Sequence, residues 1–489
     1  MGKNRERRAE PIPPDPTAEA KKPSHEGQLA VAAIAVGNLA SILTALSKIA
    51  DTLKVPVGDL SVSSITENIL LAILAVGYVL AFVYLYRRVQ DKYPHRKHVV
   101  VGVGIFLFVG GAFSVNAALT RLTAETTRQN LISVQKTWTE RISSLQIMSG
   151  PDAGGFRFMT STETPMPPDA WTTSQCVTAL LLNHRDPSSI RDHLQAALDY
   201  IYNRRVDVNG DFGWKTFPDF PHTRTEIGAW AAIAYVNGLR SGKVWPPDKL
   251  EVPKARLKRI LDDTVARQCK DGGWAPVRTH PCAEGSERTY STVMAVWSLA
   301  EARIGVSDVA RAILDEPISL GVQWLASKHN DYGWTPNPNT EENRQYTGLT
   351  GQALFALQSA KSVPGASTYI ESESCLRVKR AFVEALAKPG LQFCSRDSVP
   401  YPDRQIEGET FDVNFIAFPW ALGALSELAN DTGLDSAHRR SAAASRDKLI
   451  HQLRDVAQYY EAAQTFELAE HLIALSFAPG KGDRFAQTN

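Results

Sequence analysis

The stretch RQCKDGGW, Arg267 to Trp274, decides how this 489-residue chain is read. It joins a Gln, two adjacent glycines and a Trp, and a Gly-aromatic signature recurs on both sides of it. GGF ends at Phe156, DFGW at Trp214, DGGW at Trp274, DYGW at Trp334 and a degenerate GLQF at Phe393, at intervals of 58, 60, 60 and 59 residues. A fixed period of that length marks one supersecondary unit used repeatedly. Within the unit, Gly supplies the positive-φ residue that a sharp turn after a helix needs. The Trp then packs between neighbouring units, and its indole N–H needs a partner, which a polar side chain such as Gln268 would supply.

Every unit follows the same grammar. An amphipathic segment precedes the glycines; in the first, Leu131, Val134, Trp138, Ile142 and Leu145 keep a spacing of three to four. A Pro-rich loop follows, and then a second helix that is apolar nearly all round: WTTSQCVTALLL, TEIGAWAAIAYV, TYSTVMAVWSLA, YTGLTGQALFAL, FDVNFIAFPWALGAL and FELAEHLIALSF. A helix apolar on every face must be surrounded by protein. Six amphipathic helices outside six buried ones predict an all-α fold, an (α/α)6 toroid spanning residues 121–480, with a flexible tail at 481–489. Pro419 in the fifth buried segment predicts a kink there.

QCKDGGW also fits a Q-x3-G-x-W pattern, and in this the chain resembles the squalene and hopene cyclases and the β subunits of protein prenyltransferases. The resemblance covers roughly residues 127–478. It implies the toroid and a central cavity that holds an isoprenoid chain in those proteins; a shared fold does not transfer an activity.

The first 120 residues have a different character. Residues 1–27 are charged and Pro-rich, which reads as a disordered tail. Within 28–120, three apolar stretches, 29–49, 69–86 and 99–119, are long enough to cross a hydrocarbon core of about 30 Å. The first carries Asn38, Ser41, Ser47 and Lys48, so two to three transmembrane helices are expected. The tail holds six Lys/Arg and RRVQDKYPHRKH five, against Lys54 alone in the loop after the first stretch. The positive-inside rule puts the tail in the cytoplasm and the toroid outside it, as in a bacterial inner-membrane protein. Membrane lipids are the expected partners, and the small residues of GVGIFLFVGG suit a homo-oligomer or a membrane-protein partner.

A formal net charge of +1 gives no nucleic-acid signature. Five cysteines, an odd number without metal-type spacing, do not read as a disulfide framework.

Candidate chemistry gathers at the starts of the buried helices. Arg224, Arg288 and Arg344 occupy similar places in three consecutive units. Cations are disfavoured there by the helix dipole, so they either pair with carboxylates such as Glu226 or form an anion-binding basin. Trp171, Trp230, Tyr290, Trp297, Tyr346, Phe411, Phe415 and Phe466 either line an apolar pocket or fill the centre. The D-x-D-D acid of the cyclases is absent from the sequence. Against the prenyltransferase Zn²⁺ set, Asp412 matches the Asp, Asn414 stands where the Cys ligand would be, and His471 lies one turn after Glu467. Asp412, Glu467 and His471 are therefore the candidate ligands for a divalent metal, Zn²⁺ or Mg²⁺. Asp412 and Glu226 are the candidate acid or base.

Two functions follow as expectations. One is a membrane-anchored toroid that binds an amphipathic or anionic ligand as a sensor, receptor or effector, for example in bacterial defence. The other is a membrane-bound prenyl transferase or cyclase acting on an isoprenoid diphosphate.

Overall fold

The computed structural model describes residues 131–159, 166–184, 186–208, 211–216, 222–277, 282, 285–306, 311–339, 346–391, 395–406, 409–453 and 464–477. The tail at 1–27, the apolar stretches 29–49, 69–86 and 99–119, Arg344 and the tail at 481–489 lie outside them. Among the described residues no helix is long and apolar enough to cross a membrane.

Six helical hairpins build the fold. They pair α1 (131–144) with α2 (Ala170–Asn183), α3 (Arg191–Asn203) with α4 (Thr225–Arg240), and α5 (Glu251–Ala266) with α6 (Thr289–Gly305). Next come α7 (Arg311–Ser327) with α8 (Thr347–Ser359) and, after the short α9 (Ala366–Ile370), α10 (Glu373–Ala387) with α11 (Ala417–Leu428). The last pair is α12 (Ser436–Gln452) with α13 (Thr465–Leu475). The second helices pack in the order α2–α4–α6–α8–α11–α13 and back to α2, which closes a ring. These inner helices are buried on nearly all faces, as their uniform apolarity requires, whereas the outer helices bury one stripe.

Repeated hydrogen bonds make the ring. Each aromatic of the Gly turn anchors its indole to its own outer helix: Trp214 Nε1 donates to the Ile201 carbonyl (2.6 Å), Trp274 to Thr264 (2.7 Å) and Trp334 to Leu325 (2.9 Å). The backbone N–H of Phe156, Trp274 and Trp334 is received by Thr173, Thr292 and Thr350 of the following inner helix. The first residue of an inner helix then reaches the next unit. Thr225 N–H donates to the Pro276 carbonyl (2.9 Å) and Thr289 N–H to Pro336 (3.3 Å). Thr465 of the last inner helix donates to Phe158 of the first unit (2.8 Å), so the same bond seals the circle.

Gln268 has a different role from the one its sequence position suggested. The indole takes a backbone carbonyl, and Gln268 Nε2 donates to the carbonyls of Gly272 and of Pro317 on the next outer helix, both at 2.9 Å. Gln146 repeats this with Gly154 (3.1 Å) and His193 (2.8 Å). Two glycines are fixed by space as well as by conformation. Gly272 has φ of +96° and a Cβ there would lie 2.5 Å from the Leu320 carbonyl oxygen; at Gly154, with φ of +93°, it would lie 2.3 Å from that of Ala196.

Three expectations are corrected. Residues 411–416, read as the start of a buried helix, belong to β4 (Glu409–Ile416), antiparallel to β3 (Arg396–Ile406) with Pro400 opposite Asp412. A second two-stranded ribbon pairs β1 (Val206–Val208) with β2 (Asp211–Gly213). Phe411, Val413 and Phe415 alternate with Asp412 and Asn414, a period of two that suits a strand. Pro419 is the third residue of α11, where its missing N–H has no intrahelical carbonyl to lose, so no kink follows. Cys269 and Cys282 form a disulfide between the repeat turn and the loop before α6, while Cys176 and Cys375 are free and buried. Closing so short a loop stabilises by about 3 kcal/mol in the chain-entropy account. Alkylation mass mapping without reductant should leave both cysteines unlabelled, and reduction should lower the unfolding midpoint.

Candidate functional site

The N-terminal ends of the inner helices converge on one mouth of the ring, and its floor is aromatic. Trp230 on α4, Trp297 on α6, Phe355 on α8 and Trp420 on α11 are all buried. Trp297 meets Trp230 at 5.3 Å, Phe355 at 5.3 Å and Trp420 at 5.5 Å between ring centroids, each edge to face. Trp230 also meets Trp420 at 6.4 Å, and these two stand on opposite inner helices. The ring is therefore filled at this level, so Trp230 and Trp297 form a floor rather than the wall of a through-cavity.

Above the floor, Trp171 at the start of α2 stacks on Tyr290 at the start of α6, with centroids 6.3 Å apart and planes 24° apart. Trp230 Nε1 donates to the Tyr290 hydroxyl at 3.4 Å, joining floor and platform. Trp171 is half-buried and packs against the core. Phe466 lies 6.2 Å from Phe158, and Tyr346, the residue before α8, is buried.

The arginines are used inside the protein. Arg224 is buried, with its Nε 3.4 Å from a Glu226 oxygen. The other Glu226 oxygen accepts from Ser291 at 2.6 Å. Arg288 Nη1 donates to the carbonyls of Gly285 and Glu287. Arg344 and the side chains of Phe411, Asp412 and Phe415 lie outside the description.

Glu467 and His471 share a helix but not a ligand position. The Glu467 carboxylate meets Arg396 at 2.5 Å. His471 Nδ1 instead donates to the Glu467 main-chain carbonyl at 2.7 Å, and its ring lies against Trp138 and Phe418. Burial holds this imidazole neutral, with its pKa lowered to about 3. Among the described residues no group of three or more His, Cys, Asp and Glu can hold a metal ion, and the pair does not fit a divalent centre.

Sequence reasoning missed Glu470, a buried acidic residue beside Trp420 of the floor. Gln175 Nε2 donates to its Oε1 at 2.9 Å and Trp420 Nε1 to its Oε2 at 2.8 Å. The available signal was an acid in the middle of the apolar FELAEHLIAL helix. Burial drives the Glu470 pKa up to about 8, the nearby Glu467 adds to this, and the two hydrogen bonds only partly offset it. The native state thus binds a proton that the unfolded chain releases near pH ~4.3. Between there and about 8, this group makes stability fall as pH rises, by at most about 1.4 kcal/mol per pH unit. Denaturant unfolding at pH 5 to 8 should show that slope in the wild type and lose much of it in Glu470→Gln.

No protein-family model matches the chain, and no curated protein matches it. Solved structures do. A sugar epimerase from a ruminal bacterium aligns with a TM-score of 0.51 at 11% identity, over 73% of this chain and 98% of the epimerase. A family 76 glycoside hydrolase from a bovine Bacteroides thetaiotaomicron strain aligns with a TM-score of 0.50 at 11% identity, over 71% of this chain and 77% of the hydrolase. A type II terpene cyclase from Scytonema aligns less well, with a TM-score of 0.43 at 13% identity over 72% of this chain and 98% of the cyclase. The neighbours are (α/α)6 toroid proteins, and at these identities the likeness is one of fold.

Proposed function

We propose that this chain is a membrane-tethered toroid that binds an amphipathic ligand at its aromatic mouth and acts there as a sensor or receptor. The observation that carries the reading is the Trp171–Tyr290 stack, with Trp171 half-buried above a filled floor. Such a surface takes an apolar body lying flat with its polar end at the rim. The tether rests on the three apolar stretches of the first 120 residues. An extracytoplasmic toroid agrees with the loop charges and with the Cys269–Cys282 disulfide, since such bonds persist in oxidising compartments.

The anionic half of the expectation has less support, because Arg224 and Arg288 are engaged within the protein. Full-length protein in detergent should therefore bind labelled farnesol, and bind farnesyl diphosphate no more tightly. Trp171→Ala should weaken farnesol by about tenfold, a loss of roughly 1.4 kcal/mol. Unchanged affinity in that variant would remove the platform from the account.

One observation favours a second reading, an enzyme acting on an isoprenoid. Burial keeps the proton on Glu470 to about pH 8, the state a proton donor needs. Conversion of either probe during the same incubation would select it.

A further inference from the structure

Glu470 differs from the other carboxylates at the mouth. Glu226 has Arg224 and Glu467 has Arg396, whereas among the described residues no basic group pairs with Glu470. Its partners are the neutral donors Gln175 and Trp420, although it is only 6% exposed. A buried carboxyl without a cation stays neutral or recruits one.

A further atom wants a donor. Gln175, 1% exposed, spends its amide N–H on Glu470 and leaves its Oε1 buried without a hydrogen-bond partner. An unsatisfied buried acceptor costs free energy, so what this corner lacks is donors. Trp420 ties the corner to the aromatic floor, its Nε1–H edge meeting Glu470.

We propose that the Glu470 corner is a receptor for a protonated alkylamine, an ammonium group whose N–H donors meet Gln175 and whose charge pairs with the Glu470 carboxylate. The inference rests on the ligand-binding reading of the mouth and names the polar end that the ligand presents. An ammonium carries three donors, which a quaternary ammonium lacks, so the corner distinguishes the two. The group belongs either to a free amine or to an ethanolamine lipid headgroup.

Calorimetric titration of the full-length protein with ethylammonium, tetramethylammonium and 1-propanol tests this without any substitution. Ethylammonium should bind at least about tenfold tighter than either competitor, since it alone combines charge with N–H donors. Glu470→Gln should abolish the preference. Nanodiscs containing phosphatidylethanolamine should weaken ethylammonium binding if the lipid headgroup is the natural source, and leave it unchanged relative to phosphatidylcholine discs if a free amine is. Equal binding of ethylammonium and 1-propanol, or a preference that survives Glu470→Gln, overturns the proposal. Farnesol binding alongside equal amine and alcohol affinities would refute the ammonium receptor alone, whereas loss of farnesol binding in the wild type would refute the amphiphile reading itself.

Discussion

Asp431→Ala is expected to destabilise the toroid by about 3–5 kcal/mol, the range for removing one partner of a buried ion pair. Asp431 is buried, and four donors converge on it: Lys379 Nζ at 2.7 Å, Gln358 Nε2 at 2.7 Å, Lys361 Nζ at 3.2 Å and the Gly433 N–H at 3.0 Å. The carboxylate thereby joins the end of α8, the middle of α10 and the loop after α11. Lys379 is 0% exposed and would be left as an uncompensated charge. Burial alone would raise the Asp431 pKa, but Lys379, the Gly433 N–H and Lys361 overcome it and hold it at about 2. Because the folded pKa lies below the unfolded value of about 3.9, the stabilisation is complete above that pH and is lost as pH falls toward about 2. Denaturant unfolding from pH 6 to 2.5 should show this acid loss in the wild type and not in the variant. Asp431→Leu with Lys379→Met should recover part of the deficit, since the pair is then removed whole.

Trp274→Ala carries a comparable expected cost, about 3–5 kcal/mol. The side chain is fully buried, and its removal empties the space between hairpins and leaves the Thr264 carbonyl to the Arg267 N–H alone. Nearby, Gly321 leaves room for the indole: a Cβ at Gly321 would lie 2.7 Å from Trp274 Cζ3. Thr292→Val, which removes the acceptor for the Trp274 N–H and the hydroxyl's own bond to the Arg288 carbonyl, should cost about 1–3 kcal/mol, the range for an unsatisfied buried donor. Equilibrium denaturation of both variants checks the order. A Trp274→Ala cost below about 1 kcal/mol would mean that the repeated aromatic is not a staple.

Much of this was legible in the sequence because period and polarity are one-dimensional signals. The 60-residue recurrence and the contrast between Leu131–Leu145 and TEIGAWAAIAYV gave the hairpins and their inner and outer helices. Partner identity was not legible. The indole of Trp274 takes a main-chain carbonyl, and carbonyls leave no trace in composition. Cys269 and Cys282 are paired by a turn that brings their Cα atoms to 5.6 Å, and spacing alone did not reveal it. The segment at Phe411 read as helix because a short apolar run followed by FPWALGAL hides its period of two. Arg224 stood out as a cation at a helix start, yet only the structure shows Glu226 beside it. Glu470 was passed over because a lone acid on an apolar helix is silent about its neighbours.

The ligand reading turns on whether an apolar chain lies against Trp171. All ten tryptophans fall between Trp138 and Trp420, so contact quenching by a brominated long-chain alcohol reports on the toroid alone. Full-length protein in detergent should show saturable quenching, and Trp171→Phe should remove most of the saturable part while leaving the unfolding midpoint in place. Quenching that never saturates, or that is identical in Trp171→Phe, would contradict the claim that the mouth of this filled ring is a binding site.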